Sequence, residues 1–185
     1  MKRLAFAALL LLTAACKQDE ALPLPVALNA DSIGYFCQMD LLGHPGPKAQ
    51  IHLATYPGKP LFFSQVKDAV AYLRMPEQID TVTATYVSDM GAAPSWADPG
   101  ANNWISADKA VYVIGSSAKG GMDAPEFVPF ADPAKAQAFA AANGGTVMAL
   151  ADIPASALSP PAEETASTGD SDYSARLNAL TKTGG

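Results

Sequence analysis

The chain has 185 residues, with 12 Lys or Arg against 18 Asp or Glu, a net charge of −6 and 49% hydrophobic residues. An acidic chain with no basic cluster does not neutralise a phosphate backbone, which excludes nucleic-acid binding as a function class. The acidic excess is compatible with attracting a cation, though net charge speaks mainly to solubility.

The first residues predict export. Lys2 and Arg3 precede an apolar run over residues 4–12 that is too short to span a bilayer, and Thr13-Ala14-Ala15-Cys16 follows. This pattern reads as a lipoprotein signal over 1–15 with a lipobox-like end, Cys16 becoming the acylated first residue of the mature chain, although Thr13 stands where a typical lipobox has Leu. Removing the leader takes Lys2 and Arg3 with it and makes the chain two charges more negative. Residues 16–30, with Pro23 and Pro25 and no periodicity, read as a lipid anchor and flexible tether.

Two cysteines occur in the chain. With Cys16 lipidated, Cys37 has no partner for an internal disulfide in a compartment where paired cysteines are usually oxidised, so it is either reactive or a metal ligand. Met39 stands two residues on. In an extended segment the two sulfurs share a face, and thiolate plus thioether suits Cu(I) and suits Mg or Ca poorly. The plainer alternative is that both are ordinary small or flexible core residues. His44, between Gly43 and Pro45, is a further candidate that offers an imidazole or is simply a solvent-facing loop residue.

The folded body is expected over about 31–153, as two units covering 31–98 and 99–153. In the first, residues 49–55 and 61–63 read as strands around a Pro-Gly-Lys-Pro turn. Ser64 is placed to cap a helix with Val66, Ala69, Val70 and Leu73 on its apolar face, Pro76 stops it, and the β-branched run 81–87 is a strand. His52, out of phase with Ile51 and Leu53, is expected at the surface or facing a partner. In the second unit, residues 110–114 and 126–130 are strands joined by a Gly-rich connection. Asp132 caps a helix with Pro133 at its first position and Ala136, Phe139 and Ala140 on its buried side, Gly144 ends it, and 146–150 is the last strand.

Phe63, Ala69 and Tyr72 match Phe130, Ala136 and Phe139 in spacing, which points to a duplicated ββαβ unit. The expected fold is therefore α+β, with two ββαβ-like units in tandem and helices packed on mostly antiparallel strands. Trp96 and Trp104, flanking the connection between the units, read as packing residues. Met75 and Met148 read as core, and Met90 as packing. Residues 154–185, rich in Ser, Thr, Ala, Pro and Glu, are expected to be a disordered tail.

Tyr35-Phe36-Cys37-Gln38-Met39 resembles the Cys-Gly-Met segment of the NosL family, lipoproteins that accompany nitrous-oxide reductase. The likeness continues through Ala49-Gln50-Ile51, Phe62-Phe63, Tyr86-Val87-Ser88-Asp89, Trp104-Ile105-Ser106-Ala107, Ala110-Val111-Tyr112-Val113, Gly121-Met122, Phe130 and Gly144-Gly145. It covers the folded body in order, and Gln38 departs from it where the family usually has Gly. The resemblance implies a periplasm-facing, lipid-anchored Cu(I) chaperone that serves nitrous-oxide reductase and its membrane assembly machinery, with a fold similar to that of organomercurial lyase. It implies Cys37 and Met39 as copper ligands and matches Met122 to a family Met; the Gly-rich segment around Met122 makes it the expected mobile third ligand, with His44, near the sulfurs in sequence, as the other candidate for that place.

The contrasting reading is a thiol-dependent lyase or redox protein using Cys37 as nucleophile. No second Cys is at hand for a redox pair, and no His or Asp stands at a spacing that suggests an activating base. No catalytic residues are expected.

Overall fold

The computed structural model describes residues 22–159 together with Asn178. The leader, Cys16 and the remainder of 160–185 lie outside the described residues, and with them the expected acylation and tail.

The first half of the body opens with β1 (Ala49–Leu53), β2 (Leu61–Phe63), α1 (Val66–Leu73) and β3 (Val82–Ser88), followed by β4 (Trp104–Ser106). These strands form one antiparallel sheet in the order β2-β1-β3-β4. Ala49 faces Phe63 on one side and Val87 on the other, which fixes the register of the central strand. β1 is buried along its whole length because both of its faces are covered. On one face, α1 presents Val66, Ala69, Val70 and Tyr72 at helical spacing.

The second half runs β5 (Val111–Ile114), β6 (Val128–Phe130), α2 (Pro133–Asn143) and β7 (Thr146–Ala149). It forms a second antiparallel sheet in the order β6-β5-β7. In both halves the chain passes through strand, strand, helix and strand, with the first strand in the middle. Phe63 and Tyr72 meet at 5.6 Å between ring centroids, and Phe130 and Phe139 at 5.4 Å. Over the described residues the fold is thus α+β, with two antiparallel sheets and the helices α1 and α2.

The two helices start by different means. Asp132 Oδ1 accepts the Ala134 N–H at 2.8 Å, Pro133 opens α2, and Gly144 closes it at φ 76°. Ser64, expected to cap α1, does not. The cap position is Gln65, which makes no capping bond. The free N–H of Lys67 in the first turn is met instead by Glu126 Oε1 at 3.0 Å, a carboxyl from the other half of the molecule. β4 is absent from the sequence expectations. Three residues are too few to show a period, and the strand exists because Ile105 pairs with Val87 on the free edge of β3.

The halves share one core. Ile51, Phe63, Val66 and Val87 from the first lie in the same buried cluster as Tyr112, Phe127 and Ile153 from the second. A smaller cluster of Val113, Val128, Phe130 and Ala136 lies on the other side of β5, with Met90, Trp96 and Phe139 against it. Met148 packs on the main core, as expected. Met75 does not: it lies just past the end of α1 and is 43% exposed.

The segment before the body is fastened rather than free. Gln50 binds the backbone of Val26 in both directions, accepting its N–H at 2.8 Å and donating to its carbonyl at 2.9 Å. Tyr86 Oη donates to the Pro23 carbonyl and the Leu28 N–H to the Ala101 carbonyl. Residues 23–28 therefore strap the outer face of the first sheet and are not the free tether expected of them. The strap also explains His52, which is 3% exposed rather than at the surface. Its Nε2 lies 2.9 Å from Gln50 Oε1, and its ring meets Tyr86 edge-on. Burial beneath the strap lowers its pKa. Among the described residues, no helix is long and apolar enough to cross a membrane.

Candidate functional site

Cys37 is the free thiol of the described residues and is half-buried. Its loop is closed at the base by pairing of Ile33 with Asp40 and by the Leu41 N–H donating to the Ser32 carbonyl at 3.1 Å. Inside that base the Gly34 N–H donates to the Met39 carbonyl at 2.9 Å and the Gln38 N–H to the Gly34 carbonyl at 2.8 Å. The Tyr35 N–H donates to the Phe62 carbonyl at 2.7 Å, which docks the loop on the edge of β2.

Residues 35–37 are therefore a turn, with a bend at Met39, and not part of the extended segment that sequence spacing suggested. The physical reason is Gln38, which sits at φ 55° in the left-handed region. Its side-chain Nε2 donates to the Tyr35 carbonyl at 2.7 Å and holds the turn from within. A side chain at position 34 would collide with Cys37 Sγ, so Gly34 is what allows the thiol to lie over the loop.

Met39 is 37% exposed and Met122 44% exposed, both at the surface where a large apolar side chain gains little from folding. His44 follows an Asp40 turn in which both carboxylate oxygens accept backbone N–H groups, from Leu42 and Gly43. His44 Nδ1 lies 2.6 Å from the Asp40 carbonyl oxygen. A carbonyl only accepts, so Nδ1 carries a proton, and the neutral imidazole then has its lone pair on Nε2, the form in which an imidazole binds a metal.

His44 in turn packs on the loop that carries Met122. A Cβ at position 121 would come within 2.9 Å of His44 Cβ. That loop is a small hairpin in which Lys119 pairs with Pro125 and the Gly120 N–H donates to the Ala124 carbonyl. The exposed Lys119–Asp123 contact at 3.2 Å spans it. Trp96 closes the junction, accepting the Gly46 N–H on its carbonyl and donating its indole N–H to the Lys119 carbonyl. The four sequence candidates thus fall on three adjoining segments: Cys37 and Met39 on one loop, His44 tied to its base through Asp40, and Met122 one residue past the glycine on which His44 rests.

Beneath this junction lie two buried ionisable residues that sequence reasoning missed. Lys48 is fully buried, and its ammonium donates to the carbonyls of Pro45 at 3.0 Å and Gly46 at 2.6 Å. Burial pushes its pKa down to about 8, opposed by the nearby charges of Glu126 and Cys37. Glu126 is 1% exposed, with Oε1 holding the N–H groups of Lys67 and Phe127 and Oε2 without a hydrogen-bond partner. Burial pushes its carboxyl up to about 8, against the two N–H bonds. The signal that pointed to them was slight. Lys48 directly precedes β1, where apolar residues alternate with Gln50 and His52, and Glu126 precedes Phe127-Val128.

The NosL family model matches residues 25–158. The chain belongs to the NosL family. It is 52% identical over 178 residues to the copper-binding lipoprotein NosL of Achromobacter cycloclastes, covering 94% of this chain and 92% of that one. To the protein of the same description from Stutzerimonas stutzeri it is 32% identical over 129 residues, covering 70% of this chain and 65% of the relative. Its fold is similar to the crystal structure of the copper chaperone NosL from Shewanella denitrificans, with a TM-score of 0.67 and 29% identity over 72% of this chain and 97% of that one.

Proposed function

We propose that this NosL-family chain is an exported, lipid-anchored Cu(I) carrier and not an enzyme. It takes up one Cu(I) at Cys37 and hands it on for assembly of nitrous-oxide reductase, working with that enzyme's membrane assembly machinery on the periplasmic side, anchored through Cys16. The observation that carries this reading is one half-buried free thiol on the loop that also carries Met39, with His44 and Met122 on the adjoining segments. Thiolate and thioether select Cu(I) over hard cations. Among the described residues no three His, Cys, Asp or Glu side chains cluster as metal-binding groups. A site here therefore draws on methionine.

Cys37 and Met39 form the base of the site. For the remaining place the fixed proton on His44 Nδ1 favours His44 Nε2 more than its exposed position in the sequence did. Met122, on the neighbouring hairpin, is the donor that can swing out as a partner takes the ion. Release then needs only that docking remove one ligand, because a Cu(I) ion left with fewer donors passes more readily to a site offering more of them.

Anaerobic Cu(I) titration followed by native mass spectrometry tests this. One copper per chain is expected in the parent and none that survives a competing chelator in Cys37→Ser. Met39→Ala weakens binding strongly. His44→Ala weakens the equilibrium affinity, while Met122→Ala chiefly speeds transfer to the chelator. A parent that binds no copper, or a Cys37→Ser variant that binds as tightly as the parent, overturns the reading.

A further inference from the structure

Three ligand-bearing segments with little secondary structure of their own must be held at fixed spacing for a copper site to exist. The surface bonds described above fix each loop internally, but what joins them lies beneath. Lys48 reaches back under its own segment and binds the carbonyls of Pro45 and Gly46, the two residues immediately after His44. Gly46 touches the next segment: a Cβ there would stand 3.3 Å from Gly120 Cα. Gly120, two residues before Met122, lies directly on Glu126, so that a Cβ at 120 would collide with Oε2 and stand 2.6 Å from Gln65 Nε2. Gln65 Nε2 also reaches the Ala124 carbonyl at 3.4 Å, on the far side of the same hairpin.

Lys48 and Glu126 attract one another, and the field of Lys48 also reaches Cys37. Among the described residues they are the two buried side chains of Lys, Arg, Asp or Glu. Burying both costs free energy that two loop residues would not ordinarily repay. Glu126 alone is accounted for in part by its capping of α1; the Lys48 side chain satisfies only the two carbonyls of the His44 segment.

We propose that buried Lys48 and Glu126 are positioning residues of the metal site, which clamp the His44 segment to the Met122 hairpin beneath Cys37 and so set the spacing of its ligands. The clamp works from below: Lys48 draws in the backbone at 45–46, Glu126 supports the hairpin at Gly120, and the contact of Gly46 with Gly120 transmits one to the other. Neither side chain touches the ion. The proposal rests on the copper-carrier reading, and its test separates the two.

The copper-free parent, Lys48→Met, Glu126→Leu, the double variant and Gly120→Ala are compared with Cys37→Ser. Thermal midpoints of the copper-free proteins record any general loss of packing. Cu(I) affinity is read by competition with a chromophoric Cu(I) chelator, and the ligand set by copper X-ray absorption. Each clamp variant is expected to lose about 10- to 100-fold in affinity, as supporting residues of metal ligands typically do. The thiolate signature should remain while one donor is lost. The double variant should lose less than the two single losses combined, since the two residues act on one contact. Gly120→Ala keeps both side chains and α1's cap, and pushes the hairpin off Glu126. It should show the same ligand loss even if Glu126→Leu folds poorly.

Clamp variants that stay within about twofold of the parent with an unchanged absorption spectrum overturn the proposal. So does loss of affinity that only tracks loss of thermal stability. A parent that takes up no copper fails the carrier reading instead, and an intact parent with a dead Cys37→Ser leaves that reading standing whatever the clamp variants do.

Discussion

At the scale of single residues, Gln38 shows how a loop position is decided by two opposed terms. A non-glycine residue in the left-handed region costs about 1–2 kcal/mol, and Gln38 sits there at φ 55°. Against this, its side-chain amide donates to the Tyr35 carbonyl at 2.7 Å, a bond worth about 1 kcal/mol. Gln38→Ala removes the bond and keeps the strain, so it should lower unfolding stability by about 1 kcal/mol. Gln38→Gly loses the bond and the strain together and should lie close to the parent. Denaturant midpoints of the parent and the two variants check this; if Gln38→Ala is as stable as the parent, the side-chain bond contributes nothing. The same residue limits what the sequence alone reveals. Cys37 and Met39 stand out by their chemical type, and a lone exported thiol invites a metal reading. Their geometry does not stand out, because nothing in the identity of Gln marks a position that turns the chain.

At the scale of elements, legibility follows how local the determinants are. α2 was readable because Asp132, Pro133 and Gly144 are its own punctuation, each acting within a few residues. α1 was readable as a helix but not in how it begins, since its first free N–H is met by Glu126, 59 residues away. The strap over residues 23–28 was unreadable for the same reason: Pro23 and Pro25 suggest a free chain, and only Gln50 and Tyr86 in the folded sheet fasten it. Gln50 is the hinge of that arrangement. Its Oε1 serves the Val26 N–H and His52 Nε2 together, and its Nε2 serves the Val26 carbonyl. Gln50→Ala leaves His52 buried without a partner and should cost about 2 kcal/mol or more. Amide hydrogen exchange gives the sharper measurement: the Val26 N–H should lose its protection while the amides of β1 and β3 keep theirs. Retained protection at Val26 would show that apolar packing, and not the amide pair, holds the strap.

At the scale of the whole molecule, one core joins the two halves, and Glu126 is where a charge has been placed inside it. The sequence offers no means of seeing this, as Glu and Lys are read as surface residues unless a partner is known. The placement has a consequence for stability against pH. In the unfolded chain the carboxyl titrates near its ordinary 4.5; in the folded protein burial raises it to about 8, aided by Asp68 and opposed by the Lys67 and Phe127 N–H groups and by Lys48. The folded state therefore binds the proton more tightly, and the stability this contributes is complete below about 4.5 and lost as pH rises through 8. Lys48 acts in the next window. Its pKa is pushed down from 10.5 to about 8, so the folded state holds its proton less tightly and regains stability as pH rises from 8 to 10.5. His52, with its pKa lowered by burial, removes stability as pH falls through and below its ordinary 6.5. These three shifts together place a minimum of stability near pH 8 for the parent, with His52 confining the gain on the acid side. Glu126→Gln abolishes the carboxyl's contribution alone. The parent should lose stability relative to Glu126→Gln between about pH 4.5 and 8, with a slope approaching about 1.4 kcal/mol per pH unit, and the two curves should run parallel above that range. Chemical denaturation of the copper-free proteins at several pH values measures the difference directly. A difference that stays flat through this window would mean that Glu126 is ionised throughout, held so by Lys48, and that the pair enters the core as two full charges.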